Sequence, residues 1–251
     1  MPGMMARWVL AKASVWGWCC ACALACVMGV VGCEDRPVPQ GPTPIEQLLA
    51  ADSAYRAVSG DSSNRHIVSD YANLNRAAWQ KPEVLLDRLG DLSEKTVVEV
   101  GAGTGFFTRR LARRAARVIA LDIDPEMLLL LDSLNAAQLD AAAYARIDPR
   151  LVPASDPALG VEEADAALVV NTFMYIQEGP TYLRRLAAGL RPGSPVLVVD
   201  FKQEPTPVGP PVGARRPLAE VEAAMRAAGL QAVTSDEETL DFQYVVVGVV
   251  R

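Results

Sequence analysis

Histidine is almost missing from this 251-residue chain, and cysteine is missing from all but its first thirty-three residues. The single imidazole belongs to His66, so a centre built from several histidine ligands is not expected. The five cysteines are Cys19, Cys20, Cys22, Cys26 and Cys33, which leaves the remainder without material for a disulfide framework, a zinc-thiolate site or a thiol nucleophile. An excess of positive charge is lacking too: 24 lysines and arginines face 30 acids, a formal net charge of -6. That balance argues against a basic stripe for a phosphate backbone, so nucleic acid is not expected as a partner. What the chain does hold is apolar side chains, 51% of the total, enough for the core of one large domain.

The stretch Val97 to Asp122 organises the rest. Val97, Val98, Glu99 and Val100 suit a buried strand, and Gly101, Gly103 and Gly105 follow at alternate positions. Phe106 to Ala116 has a helical period, and Val118 to Leu121 is a second apolar strand ending on Asp122. The pattern is one βαβ unit. Glycines at alternate positions leave no Cβ over the turn, so a ligand can lie against the main chain where the helix presents unpaired N–H groups. About twenty residues after the first glycine, Asp122 stands at a strand end, where an acid accepts both hydroxyls of a ribose. The unit reads as a nucleoside seat.

A dinucleotide fingerprint would place its last glycine at position 106, which is Phe106 here; the spacing is G-x-G-x-G. With Glu99 before the glycines and Asp122 after them, the stretch resembles the class I S-adenosylmethionine-dependent methyltransferases. Ile123-Asp124-Pro125-Glu126-Met127 looks like the helix entry after their second motif. The resemblance implies an α/β, Rossmann-like seven-stranded sandwich in a single domain, strand order 3-2-1-4-5-7-6. It implies S-adenosylmethionine as cofactor, no metal, and methyl transfer to an O, N or C atom of an unidentified acceptor, with a small molecule favoured. Glu99 would help hold the methionyl end, the Gly101 to Gly105 backbone would pass beneath it, Asp122 would take the ribose and Ile123 would pack on the adenine.

Around this unit the expectations are less specific. Asp70 to Pro82, with Arg76 and the W-Q-x-P run from Trp79, resembles the segment before the first motif in some bacterial methyltransferases, and Pro82 suits the first turn of a helix over Glu83 to Leu89. Either Trp79 caps the core, or Tyr71, Arg76 and Gln80 line the cofactor mouth. Pro125 to Ala143 reads as one helix burying Met127, Leu128, Leu131 and Leu134. A third strand at Arg150 to Val152 leads to a loop where the family places an adenine contact, here Asp156 with Ser155 in reserve. A fourth strand, Ala164 to Val170, ends at Asn171, beside the transferred methyl. Asn171 and Tyr175 are the catalytic candidates, simple packing being the other reading of Tyr175. Met174 and Tyr175 stand where relatives often carry histidine. A helix at Glu178 to Leu190 and a strand at Pro195 to Phe201 follow, with Asp200 and Lys202 near substrate. A Pro/Gly-rich loop, Glu204 to Gly213, a helix at Pro217 to Ala228 and a closing hairpin, Leu230 to Thr234 with Phe242 to Val250, complete the domain.

Residues 1–33 read as a signal peptide: Arg7 and Lys12, then an uncharged run from Ala13. Its end, Val30-Val31-Gly32-Cys33, resembles the bacterial lipoprotein processing box, which makes Cys33 the lipidated residue. Residues 34–60 form a Pro-rich tether and linker helix (Ile45 to Val58), and 61–251 the methyltransferase-like domain. This implies a bacterial protein exported and lipid-anchored at the membrane. An uncleaved membrane helix, or a misassigned start codon with Met28 as internal start and a cytoplasmic enzyme, remain alternatives. Because S-adenosylmethionine is made in the cytoplasm, export also favours a rival reading, a non-catalytic, lipid-anchored nucleoside-binding module derived from the same fold. No motif encodes the acceptor or the oligomeric state.

Overall fold

The computed structural model describes residues 76–251. The expected signal peptide with Cys33, the expected tether and helix at 45–58, and Tyr71 lie outside the described residues. Seven strands form one sheet: β1 (Thr96–Val100), β2 (Arg117–Asp122), β3 (Ile147–Leu151), β4 (Ala166–Val170), β5 (Pro195–Phe201), β6 (Gln231–Asp236) and β7 (Gln243–Val249). Their order is β3-β2-β1-β4-β5-β7-β6, as expected from the sequence. Strands β1 to β5 pair in parallel, while β7 runs antiparallel between β5 and β6. Among the described residues, seven helices flank the sheet: α1 (Arg76–Gln80), α2 (Pro82–Asp87), α3 (Thr108–Ala112), α4 (Pro125–Gln138), α5 (Ala141–Tyr144), α6 (Gly179–Ala188) and α7 (Leu218–Ala227). This is a single-domain Rossmann-like α/β sandwich.

A parallel sheet covered on both faces needs strands that are apolar on both sides, which is why VVEV, VIALD and LVV read as continuous runs. Alternation splits them. Val98, Val100, Ile119, Leu121, Val169 and Val198 meet Leu183 and Leu186 of α6 and Val221 and Met225 of α7. Val97, Val118, Leu168 and Val199 face Leu85 and Leu86 of α2 and Leu111 of α3 on the other side.

Helix boundaries depart from expectation for local reasons. Helix α3 begins at Thr108, not Phe106, and beyond Ala112 its ladder tightens, with Arg113 N–H donating to Arg110 O at 3.3 Å. The helix expected over Pro125 to Ala143 is two, because Leu139 is extended and Asp140 caps α5 by accepting the Ala143 N–H at 2.8 Å. Leu131 and Leu134 are buried as expected, whereas Met127 and Leu128 are only half-buried. The third strand starts at Ile147 rather than Arg150. Lys81, with φ +44°, turns the chain between α1 and α2. Arg215, which carries no motif, ties the 204–213 loop by donating to Pro210 O, Lys202 O and Glu204 O at 2.6–2.9 Å.

Gly105 shows how closely α4 approaches the glycine turn. It has φ +82°, and a Cβ there would meet Arg109 Nη1 at 2.8 Å, Asn135 Oδ1 at 3.2 Å and Leu131 Cγ at 3.3 Å. Gly105→Ala therefore incurs both backbone strain and overpacking. We predict a loss of about 1–3 kcal/mol in unfolding free energy, measured by denaturant titration.

Candidate functional site

A cavity of about 340 Å³ opens at the carboxyl ends of β1, β2 and β4, where the strand order reverses. Ligands of open α/β sheets bind at that position, and the volume falls in the range of small-molecule sites. Val100, Gly101, Gly103, Asp122, Ile123, Met127, Asn171, Thr172 and Tyr175 are part of its wall.

The glycine turn is folded back onto β2. Gly101 and Ala102 N–H both donate to Leu121 O at 2.9 Å, and Gly103 N–H donates to Asp122 Oδ2 at 2.7 Å. Asp122 Oδ1 accepts the Asp124 N–H at 3.0 Å, so backbone amides hold both carboxylate oxygens. Burial raises the Asp122 carboxyl above its ordinary value, against the lowering effect of those N–H groups. Gly101 has φ +74°, and a Cβ there would run into the Thr172 side chain, so the turn needs glycine to bring the ends of β1 and β4 together.

Of the residues expected at the site, Gly101, Gly103, Asp122, Ile123, Asn171 and Tyr175 line the cavity. Ile123 is 61% and Tyr175 54% exposed at the cavity. Other expectations need correction. Glu99 is 4% exposed and absent from the wall; it accepts the Thr108 hydroxyl at 2.6 Å beneath the turn, and burial pushes its carboxyl up to about 8. From there it supports the turn through Thr108. Gly105 makes room for α4 and does not line the cavity. Asp156 also lies off the wall: its carboxylate accepts the Ala158 N–H at 2.8 Å and stands 3.7 Å from Arg185, while Val152, Pro153 and Ala154 face the cavity. The Ser155 carbonyl accepts from Arg185 Nη1 at 2.7 Å.

The upstream segment is behind the cavity. Trp79 packs on Phe201 and Phe242 at 5.9 Å between ring centres, the core-capping reading. Arg76 and Gln80 are buried and not in the wall; Arg76 Nε donates to Gln80 Oε1 at 2.6 Å, and Gln80 Nε2 to Gln243 Oε1 at 2.8 Å. Gln243 Nε2 in turn donates to Asn171 Oδ1. Gln243 was invisible in the sequence, since it lies in a strand distant from Asn171 along the chain and has no local pattern. Met127 was legible only as part of a buried helix face, and Thr172 and Val152 only as residues near strand ends. Asp200 and Lys202 do not reach the cavity: Lys202 donates to Asp241 O at 3.2 Å, and Asp200 is fully buried.

Residues 98–198 match the family model described as a methyltransferase domain. The fold is that of the class I methyltransferases. A SAM-dependent methyltransferase from Aquifex aeolicus superposes with TM-score 0.64 at 20% identity, over 71% of this chain and 94% of that one. Phosphoethanolamine N-methyltransferase 2 of Haemonchus contortus, solved with S-adenosyl-L-methionine, gives 0.62 at 12% identity over 79% and 59%. In sequence the chain is similar to the bifunctional biotin biosynthesis protein BioHC of Cellvibrio japonicus, 31% identical over 77% of this chain and 39% of that protein. It is also similar to phosphoethanolamine N-methyltransferase 1 of Triticum aestivum, 30% identical over 47% and 24%. A probable ribosomal RNA small subunit methyltransferase A of Methanosarcina mazei is 36% identical over 32% and 27%. The chain thus spans well under half the length of these relatives. S-adenosylmethionine is the cofactor that goes with such a domain, and the wall fits it: a side-chain-free floor, a fixed acid for vicinal hydroxyls and an open apolar residue for a purine face.

Two predictions test this geometry. In Asp122→Asn one oxygen becomes an N–H₂ that opposes either the Gly103 or the Asp124 N–H and accepts no ribose hydroxyl. Calorimetric affinity for S-adenosylhomocysteine should fall roughly 10- to 100-fold, as expected for losing hydrogen bonds to a charged group. The second concerns Asp200, whose oxygens have no hydrogen-bond partner among the described residues. Burial pushes its carboxyl up to about 8, opposed only by the nearby Met174 N–H and Arg216 charge. The folded protein then holds a proton that the unfolded chain releases above its ordinary value, so this stability is complete at low pH and is lost as pH rises toward 8. Asp200→Asn should flatten the fall in melting temperature between pH 5 and 8, with Glu99 supplying the slope that remains.

Proposed function

We propose that the protein transfers the methyl group of S-adenosylmethionine to a small-molecule acceptor. The observation that carries this reading is the Asp122 carboxylate, clamped by two backbone amides between the glycine floor and exposed Ile123 at the switch point of the sheet. When bound, the cofactor supplies a methyl carbon on a cationic sulfur, which needs no further activation to accept an electron pair. The chain's part is then to bind, orient and exclude water. Asp122 fixes the sugar, Ile123 and Met127 cover an apolar face, and Asn171, Thr172 and Tyr175 border the place of transfer. The net charge of -6 and the mixed polar and apolar wall favour a compact acceptor over a polynucleotide.

One observation favours the non-catalytic reading. No imidazole lines the cavity among the described residues, and the buried acids Glu99 and Asp200 are off the wall and held protonated near neutrality. A proton leaving the acceptor is left to Asp122, already engaged by backbone N–H groups, to Asp124 or to solvent. The fold does not decide, since the [4+2]-cyclase SpnF shares it at TM-score 0.58 and 19% identity. Calorimetric titration with S-adenosylmethionine and S-adenosylhomocysteine, followed by a labelled-methyl screen over small acceptors, tests both. Binding with turnover supports the enzyme, binding without turnover the module, and no binding overturns the nucleoside site.

Lipidation at Cys33 and anchoring outside the cytoplasm form part of the same proposal, supported by the Val30 to Cys33 pattern. Labelled palmitate should appear in the wild-type protein and vanish in Cys33→Ser; a mature N-terminus elsewhere would remove the anchor.

A further inference from the structure

We infer that a hydrogen-bond chain running from Arg76 through Gln80 and Gln243 to Asn171 sets the polarity of the cavity at Asn171, so that the site takes an oxygen lone pair there and rejects an N–H donor. The inference rests on the cofactor site above for what the ligand is, but not for how Asn171 is turned.

A carboxamide can face either way, and its two ends are nearly isosteric; only its partners decide. Here the decision is made at the far end. A guanidinium donates and never accepts, so the Arg76 Nε–H, 2.6 Å from Gln80, requires the Gln80 oxygen to face it. The Gln80 N–H₂ must then face Gln243, which presents Oε1 at 2.8 Å. The Gln243 N–H₂ is left for Asn171, whose Oδ1 accepts it. Gln80 and Gln243 are fully buried, so water cannot relax the order. What remains of Asn171 is its N–H₂, on a partly exposed residue of the cavity wall, and among the described residues that nitrogen has no acceptor. A backbone at φ +57° holds the residue at the end of β4.

The consequence is chemical selection. A carboxylate, phenolate, enolate or carbonyl oxygen can accept from Asn171, whereas an ammonium or amine N–H placed there meets another donor. Such an oxygen can belong to the methionyl carboxylate of the cofactor or to the methyl acceptor. Asn171 is a specificity-determining residue in this account, and Gln80 and Gln243 are positioning residues.

Gln80→Glu tests the chain from its buried middle. Arg76 keeps the new carboxylate ionised, and both oxygens accept, so Gln243 must turn its N–H₂ toward position 80 and its oxygen toward Asn171. Asn171 then donates to Gln243 and turns its own oxygen to the cavity. In ¹⁵N-labelled protein without ligand, the Asn171 side-chain amide protons should exchange roughly tenfold faster than those of Gln80 and Gln243 in the wild type, and one should become protected in Gln80→Glu. Absence of that reversal overturns the inference. Asn171→Asp, which keeps an acceptor for Gln243 and tolerates the left-handed backbone, is the second variant.

Titration with S-adenosylmethionine and its decarboxylated form separates the two oxygen sources. If the cofactor carboxylate is bound, both variants should weaken S-adenosylmethionine roughly tenfold and leave the decarboxylated compound unchanged. If the acceptor oxygen is bound, cofactor affinity stays constant, and labelled-methyl transfer to phenol, carboxylic acid and amine probes shifts from the oxygen compounds toward the amines. Equal response of both cofactor forms, with no shift among the probes, also overturns the inference. Failure of the wild type to bind S-adenosylmethionine defeats the proposed function alone, since the amide-exchange result stands without a ligand.

Discussion

The hydrogen bond from the Gly103 backbone N–H to the Asp122 carboxylate is the constraint on which the site depends. Parallel pairing sets Val100 opposite Leu121, so the glycine turn leaves the sheet beside Asp122, the last residue of β2. The turn cannot form a regular ladder there. It folds over the end of β2 instead, with two N–H groups on Leu121 O and one on Asp122. The distance along the chain between the glycines and the acid follows from that register: enough residues for the turn, the short helix α3 and the return through β2. An acid that would otherwise be only a ligand contact is thereby also a strut of the loop that faces the ligand. One carboxylate is thus both a strut of the turn and part of the cavity wall.

How much of this could be read in the sequence follows from which interactions are local. The βαβ unit was legible because glycine spacing, strand runs and the terminal acid all lie within one stretch, and strand order followed from resemblance. Helix ends were less so: Leu139 and Asp140 break a run of alanines and leucines that looks continuous, since the stop is a side-chain cap and not a glycine or proline. The roles of Glu99, Gly105 and Asp156 were misplaced for a common reason. A motif gives neighbourhood along the chain, but whether a side chain points into the cavity or beneath it depends on the turn's three-dimensional path. Glu99 sits one residue before Val100 on a strand whose side chains alternate, so when Val100 reaches the cavity Glu99 points away toward Thr108. Gln243 was out of reach altogether, because it meets Asn171 only once β7 has been inserted beside β5.

Two buried carboxyls flank this arrangement without entering it. Glu99 lies under the glycine turn and Asp200 at the end of β5, each pushed up to about 8 by burial, and neither borders the cavity. Their protonated state matters for what surrounds the cofactor. A sulfonium is attracted to any nearby anion, and an anion close to it but away from the transfer path stabilises the reactant without lowering the barrier. Keeping both acids neutral and off the wall leaves Asp122, already engaged by backbone N–H groups, as the fixed acid at the floor, with Asp124 beside it.

Besides the carboxyls of Asp122 and Asp124, the polar groups that reach the cavity are of a different kind. Asn171, Thr172 and Tyr175 are neutral hydrogen-bonding residues, and one of them is oriented by a chain that begins at a guanidinium buried against the Phe106 ring at 4.2 Å. The positive charge is thus kept in the layer behind the wall and felt at the wall only as the direction of a dipole. That design suits a reaction whose electrophile already carries its own positive charge. A cation in the wall would repel the sulfonium, and an extra anion would hold it in the ground state, whereas an oriented carboxamide can select the partner's lone pair and leave the charge on sulfur to drive transfer.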